Sequence, residues 1–180
     1  MEQLFISQDD MIKKYMHKFW QQTLEITAHS MALIVTYKEQ HRSCKLEPSI
    51  LLLIALVHKL GVLPVLFEAE HSKQVHTSPA FLVKALDRLA TAITLRILQK
   101  WQFSEDIIEV VSHWKSSKAN HAGVGYVDFL RLAVVLSGSG GKHQDSIIES
   151  SLAKGIVDSM EQPTAEQYQE VYHYYKAMFS

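Results

Sequence analysis

Cysteine occurs once, at Cys44, so an intramolecular disulfide is impossible and no cysteine cluster can hold zinc. That fits a reducing compartment. Glycine and proline are scarce, at 7 and 4 residues, too few for a turn-rich β protein and comfortable for an all-helical one. Neither charge sign prevails: 18 Lys and Arg stand against 19 Asp and Glu, a net charge of −1. Bulk electrostatics therefore gives no reason to expect nucleic acid or an anionic membrane as partner. Long hydrophobic runs are missing too. The longest, Ile50 to Val57, falls far short of the roughly 20 residues needed to span a bilayer. The opening MEQLFISQDD is acidic and lacks the basic segment and apolar core of a signal peptide. The expectation is a cytoplasmic protein.

What is present is helical periodicity. With 47% hydrophobic and 21% charged residues, the 180 residues suit one compact domain over 1–180. Ser7-x-x-Asp10 reads as a capping box opening a long helix. Behind it Ile12, Tyr15, Met16, Phe19, Trp20, Leu24, Thr27, Met31, Ile34 and Tyr37 recur at mostly three- and four-residue steps, one buried face sustained over many turns. Glu47-Pro48 opens a second helix, and Gly61 is expected to close it in a left-handed conformation. Val62 to Glu70 predicts a short helix. Ser78-Pro79 opens another that runs to Trp101, with a break near Asp87. Ser104-Glu105-Asp106 is an acidic helix start followed by the stripe Ile107, Ile108, Val111 and Trp114. Tyr126 to Leu136 is apolar enough to be buried. Ser137 to Gly141 is Gly-rich without the Lys-Ser/Thr of a phosphate loop, and reads as a linker. Helices over 146–157 and 164–178 complete an all-α bundle with its core in 11–136. Tyr168, Tyr172 and Tyr175 share a helical face that docks on the bundle or forms a contact surface.

Four segments in order carry a resemblance. Phe19-Trp20-Gln21-Gln22-Thr23, Leu56-Val57-His58-Lys59-Leu60-Gly61, Leu98 to Ser104 and Val111-Ser112-His113-Trp114 resemble motifs of the HDOD family, a branch of the HD-domain superfamily. The resemblance covers Met11 to Leu136 and matches the HD-like half of that family. It implies an HD-domain-like multi-helix bundle. It also implies a vestigial pocket at Gln22, His58, Lys59, His113 and Val134. Of the superfamily's metal-ligand positions, which fall on Gln22, His58, Lys59 and Val134, only His58 keeps a donor.

Hydrolytic metal chemistry needs anionic oxygen and neutral imidazole ligands around an open position. Lys59 supplies a cation instead. Two unit charges about 4 Å apart repel by about 4 kcal/mol at an effective dielectric near 20, and a divalent ion roughly doubles that. The resemblance thus implies a non-catalytic signalling module of bacterial type, without metal or other cofactor, binding a protein partner or a small signalling ligand. A different class of function is a divergent metal-dependent phosphohydrolase on nucleotides or cyclic dinucleotides, with His29, His58 and His113 converging as ligands. A nucleic-acid-binding helical protein has only the weak support of a near-neutral charge. Residue by residue, plainer roles compete. His58 suits a helix-end ring bonded to backbone, Lys59 a solvated cation, Trp114 a core residue. His71 and His76 share a loop without recognised metal spacing.

Overall fold

In a computed structural model the described residues are 7–72, 78–116 and 123–179. They form eight α-helices and no strand: α1 (Asp10–Gln40), α2 (Pro48–Val57), α3 (Val62–Glu70), α4 (Pro79–Lys100), α5 (Glu105–His113), α6 (Tyr126–Leu136), α7 (Gln144–Ala153) and α8 (Glu166–Met178). Two 3₁₀ turns, Gly141–His143 and Gln162–Thr164, precede α7 and α8. The all-α bundle is thus the observed architecture.

The bundle is built around α1. α2, α6 and α8 all pack on it, and α3 packs between it and α4. The expected single buried face holds only for the first half of the helix. From Ile26 to Ile34 the residues are buried almost all round, because neighbours cover the helix on every side. The cap also differs from expectation. Asp9, not Ser7, is the N-cap residue, and its carboxylate accepts from the Ile12 amide at 2.9 Å.

The apolar interior falls into two clusters. The larger joins the C-terminal half of α1 to α2, α5, α6 and α8 through residues such as Leu33, Ile54, Val111, Phe129 and Tyr168. The smaller joins Ile12 to Leu66, Ala69 and Leu82 on α3 and α4. Pro48–Glu70 is long and apolar enough, by length and composition, to cross a membrane. The turn at 58–61 nevertheless splits it into α2 and α3, and both halves pack on α1.

That turn has a different origin from the one expected. Gly61 has φ −65°, ordinary right-handed backbone, so no left-handed residue ends α2. Gly61 is required for proximity instead. A Cβ there would sit 2.2 Å from the Ala90 carbonyl oxygen, and the Gly61 amide donates to Thr94 Oγ1 at 2.8 Å. α4 continues unbroken past Asp87, since it presses Ala90 and Thr94 against this turn. The final helices are Gln144–Ala153 and Glu166–Met178, each shifted by about two residues at its start from the ranges read in the sequence.

Candidate functional site

Between the two apolar clusters lies a groove with a volume of about 330 Å³, within the usual range for a small-molecule site. Helical spacing builds its walls. Tyr15, Lys18, Phe19 and Gln22 share one face of α1, while Val83, Leu86, Asp87, Ala90, Thr91 and Thr94 share one face of α4. His58 and Lys59 enter from the turn after α2, Val62 and Leu66 from α3, and Trp114 and Lys115 from the end of α5.

His58 is 1% exposed. Its Nδ1 lies 2.7 Å from the Ala55 carbonyl oxygen, which only a protonated Nδ1 can approach as a hydrogen-bond donor. The expected ring-to-backbone bond is therefore present. Nε2, the remaining acceptor, is buried and has no hydrogen-bond partner. The Trp114 ring packs edge-on against the imidazole at 5.1 Å between centroids. Burial, then the charge of Lys59, push the His58 pKa down to about 3; the Ala55 bond opposes this, and the Lys115 charge adds a smaller push in the same direction. At neutral pH the ring is uncharged.

Lys59 is not the solvated cation expected. It is half-buried, its Nζ lies 5.2 Å from the centre of the Trp114 ring, and it donates to Gln22 Oε1 at 3.3 Å. Burial and the Lys115 charge lower its pKa to about 8, so it remains mostly protonated at neutral pH. Lys115 stands over the same indole at 5.4 Å. Gln22 then connects the groove to the Gly-rich segment, its amide nitrogen donating to Ser139 Oγ. Ser137 to Gly141 is accordingly more than a linker: Ser139 also bonds back to the Val134 carbonyl at 3.0 Å.

The structure thus brings Gln22, His58 and Lys59 together and leaves His113 and Val134 apart. The His113 ring is exposed, with Nδ1 3.0 Å from the Glu109 carbonyl and 2.7 Å from Ser112 Oγ. Val134 is buried in α6, and its contribution to polar contacts is its backbone carbonyl. His29, on α1, belongs to a different cluster that faces α8, bonded to the Tyr168 hydroxyl at 2.8 Å and packed on Tyr172. Convergence of His29, His58 and His113 on one ion does not occur. Of the other loop pair, His71 bonds the Phe67 carbonyl and His76 lies outside the described residues.

Lys18, Lys115, Asp87 and Thr94 are groove residues that sequence reasoning did not single out. Lys18 was within reach of it, standing four residues before Gln22 on one helical face. The others come from segments that only the tertiary fold brings near.

The geometry defines an HD-like helical fold with a cationic, Trp-walled groove. No family model matches the chain, and no curated protein matches it. Among solved structures it is similar to a "putative metal-dependent phosphohydrolase" from Shewanella amazonensis SB2B, at 29% identity and a TM-score of 0.90. The match takes in 99% of this chain and 65% of that one. This likeness overturns the expectation that the chain is not an enzyme, an expectation that rested on lost ligand positions alone. The donors at this groove still do not fit a divalent ion. His58 offers one imidazole nitrogen, the neighbouring position is an ammonium, and no group of three or more His, Cys, Asp or Glu among the described residues suits a metal.

Proposed function

We propose that the chain is a phosphohydrolase-type protein whose groove takes a phosphorylated small molecule of the nucleotide or cyclic-dinucleotide class. The observation that carries this reading is Lys59, a half-buried ammonium set on the groove wall beside an indole. A fixed cation suits phosphate oxygens, and charge-assisted bonds of this kind are about twice as strong as neutral ones. The indole holds that ammonium against the groove wall. The structural neighbour's name supports hydrolysis as the accompanying activity, while the residues of this chain support recognition of the ester. No step of the reaction is assigned to a metal, because the groove supplies no ligand set for one.

The test is a panel of nucleotides, cyclic dinucleotides and simple phosphate esters, incubated with and without Mn²⁺ or Mg²⁺. Binding is followed by calorimetry and phosphate release by a colorimetric assay. Saturable binding of a phosphorylated compound with turnover of that compound is the expected result. Absence of binding to any phosphorylated compound under either condition rejects the reading.

A second reading is an HDOD-type signalling role, in which ligand occupancy is passed to a protein partner. It is favoured by the coupling of the groove to the Gly-rich segment through Gln22 and Ser139. Ligand-dependent hydrogen-exchange protection confined to the groove helices would count against it.

A further inference from the structure

Resting on the phosphorylated-ligand reading, we infer that His58 and Lys59 form a metal-free site selective for phosphate monoesters. Two independent features of the groove point to it. One is the Lys59 ammonium, partly buried and already engaged by the neutral carbonyl oxygen of Gln22, a partner that a ligand oxygen replaces without loss of charge. The other is His58 Nε2, a buried acceptor without a hydrogen-bond partner, in a side chain that lines the same groove. An unsatisfied buried acceptor is costly, and that cost is recovered when a ligand supplies the donor.

The two groups make different demands. Lys59 asks for an anionic oxygen. His58 has its Nδ1 proton committed to Ala55, so Nε2 accepts and cannot donate. A ligand satisfying both carries negative charge and an O–H on neighbouring atoms. The monoanion of a phosphate monoester, whose second ionisation lies near 6, has this form. A phosphodiester or sulfate has the charge without the hydroxyl. Other charged groups on the groove wall are Lys18 and Asp87, with Lys115 beside the indole. The cations outnumber the single carboxylate, which keeps the groove favourable to an anion.

The experiment is titration at pH 6.5, in excess EDTA, with inorganic phosphate and a nucleoside monophosphate. Sulfate and a cyclic nucleotide, a diester, serve as the comparison. Trp114 fluorescence and calorimetry are the readouts. Phosphate and the monophosphate are expected to bind in EDTA, at least tenfold more tightly than sulfate or the diester. Lys59→Met should weaken binding tenfold or more, and Lys59→Arg should retain much of it. His58→Phe should preserve some anion binding but abolish the preference for phosphate over sulfate. Lys59→Met removes a desolvated charge and is expected to fold, as checked by circular dichroism; Lys59→Gln is the second variant. If phosphorylated compounds bind only when Mn²⁺ or Mg²⁺ is added, the inference falls while the phosphohydrolase reading stands. Equal binding of sulfate and phosphate, or unchanged binding in Lys59→Met, likewise overturns it. If no phosphorylated compound binds with or without metal, both fall together.

Discussion

At the scale of the residue, Gly61 shows how a familiar signal gives the right place for the wrong reason. A Gly after an apolar helix suggests a left-handed terminus, yet its φ of −65° is available to any residue. What it lacks is a side chain, and α4 uses that lack. Gly61→Ala would drive a methyl into the Ala90 carbonyl and also crowd the Thr94 amide, 2.6 Å from the built Cβ. Both obstacles are backbone, so neither can swing aside as a side chain does. Overpacking of this kind costs roughly 2–3 kcal/mol, and chemical denaturation should show that loss as a lowered midpoint with an unchanged slope. Because the same turn carries His58 and Lys59, ligand binding should weaken with it. An Ala variant as stable as the parent would mean that α4 does not press on the turn.

At the scale of the element, α8 is held to α1 by more than apolar contact. Tyr168 is 1% exposed and bonds His29, while the Tyr172 hydroxyl bonds the Glu25 carboxylate, which Lys176 meets at 2.5 Å. Burial works against the Glu25 charge, but hydrogen bonds from Lys176 and Tyr172 outweigh it and hold the carboxyl below its ordinary pKa. Tyr168→Phe keeps the ring and deletes the hydroxyl, leaving His29 Nδ1 without this partner. A loss of about 1–2 kcal/mol in thermal or chemical unfolding is expected. A neutral outcome would show that water replaces the hydroxyl. The docking of this face follows from sequence, since Tyr168, Tyr172 and Tyr175 stand at helical spacing. The polar pairing does not, because Glu25 and His29 sit well over a hundred residues earlier. Much of the helix order is legible for the same reason, with α3 and α6 recognisable from apolar periodicity and flanking Gly and Pro residues. The all-round burial of α1 was not, for a helix's neighbours are not written in its own period. The groove was legible only in part. His58 and Lys59 mark themselves by their place in a motif, whereas Lys18, Asp87, Thr94 and Lys115 are brought to them by three separate parts of the chain, α1, α4 and the end of α5.

At the scale of the whole molecule, two histidines, His29 on α1 and His58 in the turn after α2, set the response to acid. His58 is pushed to about 3 chiefly by burial, and His29 to about 4, again by burial, with Lys176 adding to it and Glu25 opposing it. In the unfolded chain both titrate near 6.5. Between those values the unfolded state binds more protons than the folded one, so stability rises with pH and is lost as pH falls. The loss begins below about pH 6.5 and continues toward the folded values near 4 and 3. Within that window each histidine contributes a slope of about 1.4 kcal/mol per pH unit. Carboxylates such as Glu25 add to the fall only at lower pH, through their ordinary range. Urea unfolding at pH 7, 6 and 5 should therefore show a loss that steepens below pH 6.5. His29→Gln and His58→Gln should each remove about half of the slope between pH 6 and 5, whatever they do to stability at pH 7. The two sites belong to different contact networks, His29 with α8 and His58 with Trp114, so their effects on the slope should add. A flat profile from pH 7 to 5 would mean that both rings reach water when folded, which would also remove the buried acceptor on which monoester selectivity depends.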